Sequence, residues 1–166
     1  IKILLMDPKY NLKDLIASKK NIKNDPYYKG FFYLINLSVK YKFKPVFFFI
    51  PVIRSKIDNL YNLKDKYIVK IIKYIRKFNY DIEVHGSSLS YDNDNFMKND
   101  KKCIYSSIGV RQHYLKYNIM KTSQIQNKYF KYDTSLGFSD YIGFRRGTCL
   151  PFKLFDFNEN ISLDLF

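Results

Sequence analysis

Amphipathic stretches and short apolar runs alternate along most of the chain. Apolar residues recur every three or four positions over residues 25–41 and 62–78, and more weakly over 95–105 and 122–130. These spacings predict four helices. Asp25-Pro26 marks the start of the first helix, and Thr122 is the expected N-cap of the last.

Strand-like runs lie between the predicted helices, at residues 1–6, 46–52, 80–85, 108–111, 131–133 and 141–144. The run at 46–52 contains three consecutive phenylalanines and is apolar on both faces, as expected for a central parallel strand covered by helices on either side. Helices that alternate with strands predict an α/β fold with a mostly parallel sheet of right-handed βαβ units. Periodicity leaves open whether the sheet is open or closed into a barrel.

Length favours a single domain spanning residues 1–166, large enough to bury a core. The chain opens on Ile1 and stops within a strand-like run at 161–166, so we expect it to be part of a longer protein, truncated at both ends. We therefore also expect an exposed sheet edge where a first strand belongs. No apolar run approaches the roughly 20 residues that span a bilayer.

Basic residues give the chain a formal charge of +14, which by itself favours an anionic partner. Of the 29 basic residues 24 are lysines, mixed with many Asn, Ile, Tyr and Phe residues, as an AT-rich gene encodes. Sites that grip phosphate rely on the planar fork of arginine, so we do not expect nucleic acid to be the partner. Cys103 and Cys149 are too few and too far apart for a zinc ribbon or a disulfide framework, and we expect them to be two buried or idle thiols in a reducing cytoplasm.

Polar and ionisable residues directly follow four of the predicted strands. In α/β proteins the loops past the strand ends are where binding and catalytic groups collect. The four segments are Glu83-Val-His85-Gly-Ser87-Ser-Leu-Ser90, Gly109-Val-Arg111-Gln-His113-Tyr-Leu115, Tyr132-Asp133-Thr-Ser135-Leu-Gly137-Phe138, and Gly143-Phe-Arg145-Arg-Gly147-Thr-Cys149-Leu-Pro151.

In combination these segments resemble the polysaccharide deacetylase family, in particular a bacterial branch with a His-x-Ser loop and an Arg-Gln-His-Tyr-Leu strand end. Asp25-Pro26-Tyr27 and the strand with Phe47-Phe48-Phe49 also stand where that branch has them. The resemblance covers most of the chain. It implies a distorted barrel of seven or eight β/α units, here incomplete, and hydrolysis of N-acetyl groups on a cell-envelope polysaccharide or oligosaccharide, assisted by a divalent metal, most simply zinc.

The resemblance also implies which residues form the site. His85 stands where the family has its first metal-binding histidine, but Leu89 occupies the position of the second, so the metal would have to use His113 or a water-rich site. The family's Asp-x-Asp pair, which supplies the general base and a metal ligand, is not found, since Asp7 has no partner two residues away. That pair is expected upstream of the chain, and the family's late Leu-x-His element beyond Phe166.

Catalytic and substrate-binding roles follow for the remaining polar residues. Arg111 resembles the arginine that orients the catalytic carboxylate and lowers its pKa, and Asp133 resembles the aspartate that pairs with it. For His113 three roles stay open: a catalytic acid, a metal ligand or a packing residue. The expected substrate contacts are Ser87, Phe138 as an aromatic wall, and Arg145. Gly147-Thr-Cys149-Leu-Pro151 is interpreted as a tight turn.

Three hypotheses of function remain open at this point. The first is a metal-assisted carbohydrate deacetylase. The second is a homologue that keeps the sugar cleft but has lost full metal ligation, which the leucine at position 89 favours. The third, less favoured, is a basic nucleic-acid-binding domain.

Overall fold

The computed structural model describes residues 21–58 and 61–166. The predicted strand at residues 1–6 lies outside them. After a 3-10 turn at Ile22–Asn24, the elements are α1 Pro26–Tyr41, β1 Val46–Phe49, α2 Lys66–Lys77, β2 Asp81–Gly86, α3 Asp94–Cys103, β3 Gly109–Gln112, a 3-10 turn His113–Leu115, α4 Thr122–Asn127, β4 Tyr132–Asp133, β5 Phe155–Asp156 and β6 Ile161–Ser162.

The first four strands form one parallel sheet in the order β1-β2-β3-β4. The order of the strands in the sheet is the same as their order in the sequence. One row of the register joins Phe49, Val84, Val110 and Asp133. A helix lies in sequence between consecutive strands of this sheet. The predicted α/β class and parallel sheet are confirmed.

Side-chain caps define the starts of three helices. Asp25 accepts a hydrogen bond from the Tyr28 amide at 2.9 Å, and Asp65 and Asn93 do the same at the starts of α2 and α3. The prediction of Thr122 as an N-cap is wrong. Thr122 is the first residue of α4, and its hydroxyl instead accepts from the Asn118 amide and donates to the Tyr91 carbonyl.

The hydrophobic core lies on one face of the sheet. One apolar cluster contains the strand residues Phe47, Phe49, Ile82, Val84 and Val110, which alternate along β1 to β3, together with buried residues of all four helices, Ile35, Ile71, Ile75, Met97 and Ile125. The expectation that helices cover the strand at 46–52 on both sides is therefore wrong for the described residues. In these residues β1 is also the first strand in the order and not a central one.

The opposite face of the sheet carries the alternate residues, and most of them are polar. The register places Glu83, Gly109 and Tyr132 in one row, and His85 and Arg111 in the next. One covered face and one polar face arise because side chains of a strand point alternately to the two sides.

The chain after β4 departs most from the predictions. Residues 141–144 form bends and not a strand, with Gly143 at φ 132°. A turn over residues 144–147 follows, in which the Gly147 amide donates to the Phe144 carbonyl at 2.8 Å. It ends where the expected tight turn at 147–151 begins, and residues 147–151 form bends and irregular chain. The antiparallel pair β5–β6 comes next, and Phe166 then hydrogen-bonds to the backbone of Lys131 and Asp133 beside β4.

In the part of the chain that the structure describes, the helices are too short or too polar for any of them to cross a bilayer.

Candidate functional site

His85 and Arg111 lie side by side at the carboxyl ends of β2 and β3. They are partners in the parallel register and are both partly buried on the polar face. The Arg111 guanidinium extends toward β4, where Nη1 donates to the Thr134 carbonyl at 2.9 Å. This bond holds the cation across the ends of two adjacent strands, β3 and β4.

His113 joins this pair from the turn that follows β3. Its Nδ1 lies 3.1 Å from Nε2 of His85, and its Nε2 lies 2.8 Å from the carbonyl oxygen of Ile57. A carbonyl only accepts, so Nε2 of His113 must carry a proton. When His113 is neutral its Nδ1 therefore accepts from Nε2–H of His85. Both histidines were predicted from the sequence as site residues, but the Ile57 carbonyl that orients His113 was not.

The surroundings keep His85 uncharged at neutral pH. Burial, the neighbouring His113 and the positive charge of Arg111 together lower the pKa of His85 to about 4, against the attraction of Asp58. An imidazole without a proton on one nitrogen can accept a proton or bind a metal ion.

Asp58 is a part of the site that the sequence analysis missed. It follows β1 and is 5% exposed, and its two oxygens accept from the amides of Arg54, Ser55 and Ser88 and from the Ser88 hydroxyl. Burial acts to raise the pKa of Asp58, but these hydrogen bonds hold it below its usual value. The carboxylate thus ties the loop after β1 to the loop after β2. The same strand-end rule, applied to β1, would have pointed to Asp58.

Asp133 does not share the face of His85 and Arg111. The register aligns it with Val84 and Val110, whose side chains point into the core. Its carboxylate accepts from the amide and hydroxyl of Ser135 and from Gln126 Nε2, and it makes no ion pair with Arg111. The expected direct Arg111–Asp133 pair is therefore absent, although the charge of Arg111 still acts on Asp133 from a distance. Burial raises the pKa of Asp133 to about 6.

Ser87 is used inside the protein. It is 1% exposed, and both its amide and its hydroxyl donate to Asp100 Oδ2 at 2.9 Å. Asp100 also lies 2.9 Å from Nη2 of Arg54 in a buried ion pair. In the described conformation Ser87 fixes the loop after β2 and does not line the surface around His85.

Phe138 and Arg145 lie in the irregular segment after β4, and both are exposed. The Phe138 ring packs edge-on against Tyr141, with 6.0 Å between ring centres. Leu115 comes within van der Waals reach of a side chain built at Gly137, so the start of this segment lies against the turn that carries His113. The charge of Arg145 acts on Tyr117, and no contact of Arg145 with His85 or Arg111 is present.

Glu83 anchors the polar face one row below His85. It is 3% exposed, and its Oε2 accepts from the amides of Ile108 and Gly109, both at 2.7 Å, and from the Ser107 hydroxyl. The Tyr132 ring crosses directly over Gly109, since a Cβ there would lie 2.1 Å from that ring. Burial and Glu83 raise the pKa of Tyr132. In the sequence Glu83 only opens one of the four strand-end segments, and nothing there indicates this role.

The turn after β3 is strained where it carries His113. Tyr114 and Leu115 have φ values of 56° and 52°, in the left-handed region that non-glycine residues rarely adopt. Two such residues in succession cost on the order of 1–3 kcal/mol each and are typically found at functional sites. The strain accompanies the placement of the His113 ring against His85.

The imidazole pair fits two ligands of a divalent metal. Zinc accepts imidazole nitrogens, and ligating histidines typically donate their other N–H to a carbonyl, as His113 does to Ile57. Leu89, at the position of the family's second histidine, is 43% exposed and offers no donor atom. Within residues 21–58 and 61–166 no group of three or more His, Cys, Asp or Glu side chains is placed to hold a metal.

Comparison of the chain with protein-family models, with curated proteins and with solved structures finds no significant match.

Proposed function

We propose that this protein is a hydrolase of the carbohydrate deacetylase type, which removes N-acetyl groups from a polysaccharide or oligosaccharide. One observation carries the proposal: His85, His113 and Arg111 come together at the carboxyl ends of adjacent parallel strands. These three residues belong to the segments that resemble the polysaccharide deacetylase family. The sheet has its helices on one face and charged side chains on the other, as a segment of a (β/α) barrel would have, so we propose that architecture too.

His85 and His113 would hold the divalent metal, for which zinc suits the nitrogen donors. A bound metal supplies a water of lowered pKa and polarises the amide carbonyl. His113 presents Nδ1 in a fixed orientation because its Nε2–H is held by the Ile57 carbonyl. His85 enters the site uncharged because of its lowered pKa, so moving its proton from Nε2 to Nδ1 frees Nε2 for the metal without a net loss of charge from the ring.

Arg111 contributes a fixed positive charge. Its guanidinium donates one hydrogen bond to Thr134, which leaves further N–H groups for a carboxylate or for the oxygen that becomes negative during amide hydrolysis. Phe138 and Arg145 stand on the exposed segment after β4 and are proposed as sugar contacts, by stacking and by hydrogen bonding.

The test is acetate release from an N-acetylated oligosaccharide by the full-length protein, with zinc and after chelation. Arg111→Ala should lower kcat/KM by roughly a hundredfold, since loss of a preorganised charge costs about 3 kcal/mol in the transition state. His113→Ala should weaken zinc binding. Lys98→Ala, an exposed residue of α3, is the control and should change neither.

A second candidate is a glycan-binding homologue without catalysis, favoured by Leu89 and by the absence of a three-ligand group among the described residues. It predicts oligosaccharide binding without acetate release, and binding that chelation leaves unchanged. Acetate release that zinc restores would reject it, while the lack of any release from wild-type protein loaded with zinc would reject the deacetylase.

A further inference from the structure

A separate depression lies on the helix-covered side of the sheet, between α2 and the end of α3. We call it the α2–α3 groove. It encloses about 440 Å³, within the range of small-molecule sites. Its inner surface is apolar: Ile82 and Ile104 are buried in it, and Leu63, Val69 and Ile72 form its walls.

The charged groups around the groove are all positive. Lys64, Lys73 and Arg76 border it, and no Asp or Glu does. Lys73 and Arg76 are three residues apart on α2, so they project on the same side of the helix. Among the described residues none of the three cations forms an ion pair.

Two carboxylates close to Arg76 are engaged in other contacts. Arg76 also borders a smaller depression that contains Asp81 and Glu83. Asp81 forms an ion pair with Lys44 at 3.0 Å, and Glu83 accepts hydrogen bonds from the amides of Ile108 and Gly109. The groove therefore combines an apolar interior with three bordering cations that form no ion pair among the described residues.

We propose that the α2–α3 groove binds an amphipathic anion, an unbranched acyl or alkyl chain that ends in a carboxylate or a phosphate. The chain would lie on Leu63, Val69 and Ile72, and burying it removes apolar surface from water. The head group would lie between Lys73 and Arg76, where charge-assisted hydrogen bonds are available. Neither hypothesis for the His85 site requires this ligand, so the two proposals stand or fall independently.

Cys103 makes the groove testable in the native chain. Its thiol is exposed and borders the groove, whereas Cys149, also exposed, lies in the segment after β4. A ligand in the groove should shield Cys103 from a maleimide reagent and leave Cys149 unchanged. The two alkylation rates are measured separately by peptide mass spectrometry, so each sample contains its own control.

The probes are decanoate and decyl phosphate, both below their micelle concentrations, with decanol, acetate and inorganic phosphate as controls. At about ten times the Kd, a bound probe should slow alkylation of Cys103 about tenfold, because only unliganded protein reacts. Protection by decanoate alone assigns a carboxylate head, by decyl phosphate alone a phosphate head, and by both a general anion site. Each of these results supports the proposal.

Equal protection of Cys103 by decanol would show that charge plays no part in binding, and it would overturn the proposal. The proposal would also fail if neither anion protected Cys103, or if both cysteines were protected equally. The double variant Lys73→Gln, Arg76→Gln should lose protection. Its matched control, Lys70→Gln with Lys77→Gln, makes the same change of charge on exposed α2 positions that do not border the groove and should keep it. Retention of protection in the first variant would also overturn the proposal. Thermal unfolding of both variants verifies that they are folded.

Discussion

At the scale of single residues, the two sides of the sheet carry titratable groups with opposite effects on stability. Asp133, on the core side, has a pKa raised by burial to about 6, above its ordinary 3.8. Between these values the folded state keeps a proton that the unfolded state has lost. The contribution of Asp133 is therefore most favourable below about pH 4 and is lost as the pH rises through 6.

His85, on the polar side, acts in the other direction. Its pKa of about 4 lies below its ordinary 6.5, mainly because of burial. The unfolded state takes up a proton first as the pH falls, so the contribution of His85 is present above about pH 6.5 and is lost toward pH 4. Each effect reaches about 3 kcal/mol, because one pKa unit is worth about 1.4 kcal/mol. In the wild-type protein the two effects largely cancel.

Replacement of each residue should reveal the effect of the other. With Asp133→Asn, the free energy of unfolding should rise from pH 4 to pH 6.5 more steeply than in the wild type. With His85→Gln, it should fall over the same range. Urea unfolding at several pH values measures both, and the double variant is the control, expected to be nearly flat. Profiles of both single variants that run parallel to the wild type would contradict the assigned burial of these groups.

At the scale of elements, two glycines give a direct test of packing. Gly30 lies inside α1 with nothing within 4 Å of a built Cβ, whereas Gly109 begins β3 under the Tyr132 ring. Gly30→Ala should stabilise the protein by roughly 0.5–1 kcal/mol, because alanine loses less backbone freedom in a helix. Gly109→Ala should destabilise it by about 1–3 kcal/mol, because the ring must move.

The outcome depends on whether the Tyr132 ring lies on Gly109. Tyr132→Ala opens that space, so the penalty of Gly109→Ala should largely disappear in the Tyr132→Ala background, a coupling that a double-mutant cycle measures. A penalty that persists there would show that the Tyr132 ring does not cause it.

Helices and central strands could be predicted from the sequence because their signals are local. Asp25-Pro26 caps α1, and the spacing of Ile71 and Ile75 marks the buried face of α2. The run at 141–144 resembled a strand by its apolar content, but it makes no ladder and bends at Gly143. Strand formation depends on a partner, and local pattern does not supply one.

The candidate site, like the fold, could be predicted only where the sequence signal is local. Strand-end position identified His85 and Arg111, since neighbouring parallel strands bring their carboxyl ends together. Which face a residue occupies depends on register, and one step of register separates Asp133 from Arg111. Asp58 and the Ile57 carbonyl come from a loop far away in sequence, and their contacts with Ser88 and His113 exist only in the folded chain.

At the scale of the whole molecule, the distribution of charge should dominate the response to salt. The formal charge is +14, and in the described residues only three lysines lie within 4 Å of a carboxylate. Three carboxylates, Asp58, Glu83 and Asp100, are buried inside the fold and so lie away from the exposed lysines. Mutual repulsion of exposed lysines therefore destabilises the compact state.

Added salt should stabilise this protein by screening that repulsion. The Debye length falls to about 10 Å at 0.1 M salt, so the melting temperature should rise steadily with sodium chloride over the low-salt range. The matched variant replaces Lys29, Lys70, Lys77 and Lys98, all exposed and helical, by glutamine, which lowers the formal charge from +14 to 14 − 4 = +10 at little cost in helix propensity. That variant should melt at a higher temperature than the wild type at low salt and should respond less to added salt. A melting temperature that falls with salt in the wild type would mean that attractive ion pairs outweigh the repulsion between lysines. If the variant responded to salt as the wild type does, the salt effect would not come from these four lysines.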